Sequence, residues 1–140
     1  MAEIVFDTGL VEYTINGKAT LVFNPTDPNF IEKLFNTFDG LDEMQTHYAN
    51  ELEKVKDNKD AFRATNELDA EMRKVIDEAL GNGISEALFG HMNVYATADG
   101  LPVWCNLILA IMDEMHDSVA REKKATDPRI AKYTAKYKKK

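Results

Sequence analysis

Val11-Glu12-Tyr13-Thr14-Ile15-Asn16-Gly17-Lys18-Ala19-Thr20-Leu21-Val22-Phe23 carries the most specific structural signal in this chain. Val11, Tyr13 and Ile15 alternate with Glu12 and Thr14, and Ala19, Leu21 and Phe23 alternate again after Asn16-Gly17. A period of two puts one set of side chains on one face of a strand. Asn-Gly tolerates the positive φ angles of a tight turn, so the segment predicts a β-hairpin. Ile4 and Phe6 suggest a short preceding strand, with Gly9 in the turn. Two strands alone are marginal in water. The hairpin must therefore lie on something else or pair with another copy.

Beyond the hairpin the pattern turns helical. Asn24-Pro25-Thr26-Asp27-Pro28 ends the alternation, and Asp27 before Pro28 is a cap followed by a proline at the first helical position. Phe30, Ile31, Leu34, Phe35, Phe38, Leu41, Met44, Tyr48, Leu52 and Val55 then recur at steps of three and four, one apolar stripe on a helix to about Lys56. Gly40 inside it predicts a bend or break, at about 1 kcal/mol against alanine. A polar joint at 57–60 leads to a second helix with Phe62, Leu68, Met72, Val75, Ile76, Ala79 and Leu80 on one side. Its far face carries Arg63, Glu67, Glu71, Lys74 and Glu78, and Gly81-Asn82-Gly83 ends it. Ser85 is placed to cap a short turn over 86–89, and 90–100 reads as a loop. Leu101-Pro102 opens the last helix, where Trp104, Leu107, Ile108, Ile111, Met112, Met115 and Val119 form the most apolar stripe and the expected core centre.

Charge divides the chain. Arg121 to Lys140 holds nine Lys/Arg and two Asp/Glu, a net +7, whereas the first 120 residues hold eight basic and 22 acidic side chains, a net −14. The expected organisation is a single α+β domain over 1–120, with an N-terminal β-hairpin packed on a mainly helical body of three or four helices. A flexible basic C-terminal tail over 121–140, broken from the last helix at Asp127-Pro128, completes it. Ile130 to Tyr137 has the makings of a short helix formed on a partner. The acidic body repels phosphates, which argues against nucleic acid as a partner of the folded part.

Function classes narrow by what the residues omit. A single cysteine, Cys105, rules out an intramolecular disulfide and points to a reduced, cytoplasmic setting. No signal-peptide pattern opens the chain, and no apolar run is long enough to cross a bilayer, so no membrane partner is expected. The histidines are His47, His91 and His116. Asp113 with His116, and Glu43 with His47, are carboxylate–histidine pairs at helical spacing. A di-metal bundle site needs Glu-x-x-His twice plus further glutamates, so the pairs read as charged surface and no metal is assigned. Gly-x-Ser-x-Gly, GxGxxG and P-loop patterns are absent from the sequence. The expectation is a non-enzyme with no catalytic residues and no cofactor. What remains is apolar binding area, placed on the first helix at Phe30, Leu34, Phe38 and Met44.

Several segments in order resemble one family: the hairpin with Asn16-Gly17, Phe23-Asn24-Pro25-Thr26-Asp27-Pro28-Asn29-Phe30 opening the first helix, Phe89-Gly90, Ala98-Asp99-Gly100-Leu101-Pro102-Val103-Trp104 opening the last, and a Lys-rich end. This arrangement is similar to the small tail assembly chaperones of long-tailed phages and prophages of Gram-positive bacteria. The resemblance implies binding of the long, apolar tape-measure protein, which such chaperones keep soluble while tail-tube subunits polymerise around it. It also implies a homo-oligomer, no catalytic residues, and a gene whose end suits programmed frameshifting at the codons for Lys138-Lys139-Lys140. Two other classes stand beside it: a structural head–tail or tail-completion protein, and a nucleic-acid-binding regulator using the Lys-rich tail.

Overall fold

A computed structural model describes the backbone of residues 1–138 and side chains as far as residue 125. Strand β1 (Val11–Ile15) pairs antiparallel with β2 (Ala19–Phe23), in the register Val11↔Phe23, Tyr13↔Leu21 and Ile15↔Ala19. Asn16 and Gly17 both have positive φ, 52° and 65°, and the Lys18 amide donates to the Ile15 carbonyl at 2.9 Å, which closes the turn as Asn-Gly predicts. Leu21 and Phe23 are buried on the inner face, while Glu12, Thr14, Thr20 and Val22 face out.

Helix α1 (Pro28–Leu52) starts where the cap predicts: the Asp27 carboxylate accepts from the Asn29 amide at 2.9 Å, and Pro28 is the first helical residue. The helix ends four residues earlier than expected, and Gly40 does not break it. A glycine costs a helix only about 1 kcal/mol, and buried Thr37 and Leu41 anchor both sides of it. Helix α2 (Asn58–Leu80) is capped by Asp57 and ends at Gly81. Its buried line is Leu68, Met72 and Ile76; Phe62, expected in that line, is exposed because it falls off the stripe by one residue. Helix α3 (Ile84–Phe89) follows Gly83. Ser85 does not cap it: this buried serine lies inside the helix, and its amide donates to the Asp77 carboxylate at 2.8 Å.

The loop expected over 90–100 contains half of a second hairpin, β3 (Thr97–Ala98) paired with β4 (Leu101–Pro102) across Asp99 and Gly100, both at positive φ. Helix α4 (Val103–Lys138) then runs through Asp127-Pro128, so the break expected there is corrected. A proline removes one helical hydrogen bond and need not end a long helix. The short helix expected over 130–137 is part of α4, no element boundary falls at Arg121, and Lys139-Lys140 lie outside the described residues. No third strand forms from Ile4 and Phe6. Residues 1–10 belong to no helix or strand, and those side chains are exposed.

The chain is thus α+β, a hairpin set on a mainly helical body. The core joins all layers: Leu21 and Phe23 from the hairpin, Leu34, Leu41 and Tyr48 from α1, Met72 and Ile76 from α2, and Trp104, Ile108 and Met115 from α4. Trp104 sits near its centre, as the apolar stripe predicts. Its ring lies against Phe38 with centroids 5.4 Å apart, and its indole N–H donates to Gln45 Oε1 at 2.9 Å. That bond satisfies the one polar atom a buried tryptophan carries.

Candidate functional site: an apolar groove between α1 and α4

Ile31, Leu34 and Phe35 on α1 and Met112, Met115, His116 and Val119 on α4 line an open groove of about 240 Å³. Both sets follow the i, i+3, i+4 spacing of one helix face, and the α4 set continues to i+7. Leu34 and Met115, fully or almost fully buried, form the floor. Phe35 and Val119 stand at the rim, 56% and 44% exposed, and His116 is the polar group on the wall. Methionine's flexible thioether chain lets Met112 and Met115 adapt to differently shaped apolar partners.

The four residues selected from the sequence do not form one open patch. Phe30 is half-buried and stacks on Phe23 at 4.4 Å, Phe38 is half-buried against Trp104, and Met44 is half-buried against the core. Leu34 is wholly buried and reaches the groove only from below. The hairpin and α4 cover the stripe that periodicity picks out, which leaves its edge, Phe35, in solvent. On α4 the same holds for Val119. A run of apolar residues wider than the contact it makes is the signal that could have separated edge from floor.

A second cleft, of about 270 Å³, lies between the hairpin and α4, with Tyr13, Leu21, Phe23, Leu107 and Ile111 in its walls. It is partly bridged, because the Tyr13 hydroxyl donates to Glu114 at 3.4 Å and Arg121 reaches the same carboxylate at 3.3 Å.

The acidic and histidine side chains considered as metal ligands, Glu43, His47, Asp113 and His116, are all exposed. Among the described residues, no three His, Cys, Asp or Glu side chains are grouped to hold a metal ion. Burial pushes the Cys105 thiol above its ordinary range, and the negative charge of Asp42 adds to the shift. A raised pKa keeps the thiol protonated and unreactive at neutral pH.

One network that the sequence does not reveal holds the site in place. Asp69 on α2 accepts from Arg73 Nε at 3.0 Å and from the Val94 amide at 2.8 Å. Arg73 Nη2 donates to the carbonyls of Gly90 and Met92, at 2.8 and 2.5 Å. The pair pins the 90–96 segment to α2. From there the Val94 and Ala96 carbonyls accept from the amides of Trp104 and Val103, which fixes the start of α4 and hence the groove wall.

Among the described residues no helix is long and apolar enough to cross a membrane. Compared with protein-family models, curated proteins and solved structures, the chain matches none. The class that the fold defines is therefore architectural: an α+β chain with a mainly helical body and an open apolar groove between its first and last helices.

Proposed function

We propose that the protein is a phage tail assembly chaperone that acts in the bacterial cytoplasm, without catalysis, by seating an apolar helical segment of a tape-measure protein between α1 and α4. The observation that carries this reading is the solvent-open groove with Phe35 and Val119 at its rim. An amphipathic helix laid into such a groove presents anchors at i, i+3/i+4 and i+7, the spacing of the groove's α4 wall. Each large apolar side chain fully buried there contributes about 1.5–3 kcal/mol. Two or three anchors then give binding strong enough to hold a segment and weak enough to release it. A net −14 on the first 120 residues disfavours a nucleic-acid role for the body.

Co-expression tests the reading. A long, apolar tape-measure protein made with this chain should stay in the soluble fraction. With Phe35→Asp, which puts a charge on the rim of the groove without touching the core, it should precipitate. Equal solubility with both versions would rule the groove out as the binding site. Finding the protein at fixed stoichiometry in finished particles would favour a structural tail component.

A further inference from the structure

The first ten residues expose the largest run of apolar side chains in the described chain: Ile4, Val5, Phe6 and Leu10 are 91%, 80%, 76% and 61% exposed. Their root is nevertheless held. The Asp7 carboxylate accepts from the Gly9 amide and the Asn24 amide group donates to the Thr8 carbonyl, both at 2.8 Å. Gly9 has φ +72°, which strains any residue with a side chain, and a Cβ there would meet Asn24 Nδ2 at 2.7 Å and push that amide off its place beside Thr8. The arm leaves a fixed anchor and presents Ile-Val-Phe to solvent. Contiguous exposed apolar side chains of this kind mark an interaction site.

The surface that fits the arm is the α1/α4 groove. In an extended segment Ile4 and Phe6 point to the same side, about 7 Å apart. A cavity of about 150 Å³ takes a benzene ring, so a groove of about 240 Å³ has room for a phenyl ring and a branched aliphatic side chain. The charges also match. Glu3 and Asp7 flank the arm's apolar centre, and α4 beyond the groove is basic: exposed Lys123 continues the line of Val119 one turn on, and residues 121–138, with seven Lys/Arg and two Asp/Glu, net +5. Within one copy Ile4 and Phe6 are exposed, so the arm does not fill its own groove.

We propose that the Glu3–Asp7 arm of one copy seats in the α1/α4 groove of a second copy, reciprocally, giving a closed two-fold dimer. Reciprocal exchange satisfies both arms and both grooves and leaves no open end to propagate. A foreign apolar helix must displace the arm to bind. The dimer itself requires no foreign segment, so its failure would leave the chaperone reading standing.

Light scattering on the full chain should give twice the 15.8 kDa protomer mass. Ile4→Asp with Phe6→Asp should give the protomer mass with an unchanged thermal melt, since neither side chain touches the core. In a mixture of a Phe6→Cys chain and a Phe35→Cys chain, mild oxidation should yield a mixed disulfide dimer, while buried Cys105 stays unmodified. A monomer at high concentration, a dimer that survives the double aspartate change, or a Phe6→Cys/Phe35→Cys chain that closes its disulfide internally at high dilution would each overturn the proposal.

Discussion

Asp69→Ala is the change that most directly probes how α4 is positioned. Side chains Asp69 and Arg73 are only 20% and 18% exposed, so the pair lies at the edge of the interior. Removing the carboxylate leaves the amide of fully buried Val94 without its acceptor, a loss of about 1–3 kcal/mol. It also leaves the Arg73 guanidinium without a counter-ion, which for a fully buried pair costs about 3–5 kcal/mol. Partial exposure and the two carbonyls that Arg73 keeps reduce that second figure, and the two losses overlap. The expected total is about 3 kcal/mol. Asp69→Asn should cost less, about 1–2 kcal/mol, because its amide oxygen can still accept from Val94. Urea unfolding gives the loss from the shift in midpoint at constant slope. Amide exchange should show Val94, Val103 and Trp104 losing protection first. If Asp69→Ala unfolds within about 0.5 kcal/mol of the parent, the range of an ordinary surface change, the segment is held by something else and the assignment is wrong.

Ile108 is fully buried, so Ile108→Ala should cost about 2–5 kcal/mol, and a thermal melt unchanged within error would remove α4 from the core. Cys105 makes a pH prediction: its folded pKa is raised, so the folded state keeps the proton longer than the unfolded one. The associated stability is complete below the ordinary thiol value of about 8.5 and is lost as pH rises beyond it. Unfolding at pH 8 and pH 10 should therefore show a smaller alkaline loss in Cys105→Ala than in the parent, and equal losses would contradict the assignment. Removing residues 126–140 takes away none of the described core, so the melting temperature should hold within a degree or two; a large drop would place those residues in the fold.

Most of the architecture was legible because its signals are local. Asn16-Gly17, Asp27-Pro28 and Gly81-Asn82-Gly83 act within a few residues of themselves, and each marks the turn, start or stop it predicts. Asp99-Gly100 carries the same hairpin signal as Asn16-Gly17, but its strands are two residues long and show no alternation, so the segment reads as loop. Gly40 and Pro128 show the opposite failure, in which a real local cost is too small to stop a helix. The groove was only half legible. Leu34, Leu41 and Tyr48, seven apart, are the buried spine of α1, and periodicity does not reveal which neighbours another element will cover. The Asp69–Arg73 pair was not legible. At spacing i,i+4 it resembles any surface pair, and its role depends on a segment some 20 residues further along that folds back onto it.

Whether the groove binds an apolar helix is tested most directly by titrating the chain with a helical peptide from a tape-measure protein at rising salt. Apolar burial is not screened as exposed charge pairs are. The affinity should change little from low to moderate salt. It should weaken at least tenfold with Phe35→Asp, one side chain's burial at about 1.4 kcal/mol per tenfold. If the peptide fails to bind at any salt while the full chain binds DNA or RNA with an affinity that collapses as salt rises, the basic tail is the functional part and the groove reading is wrong.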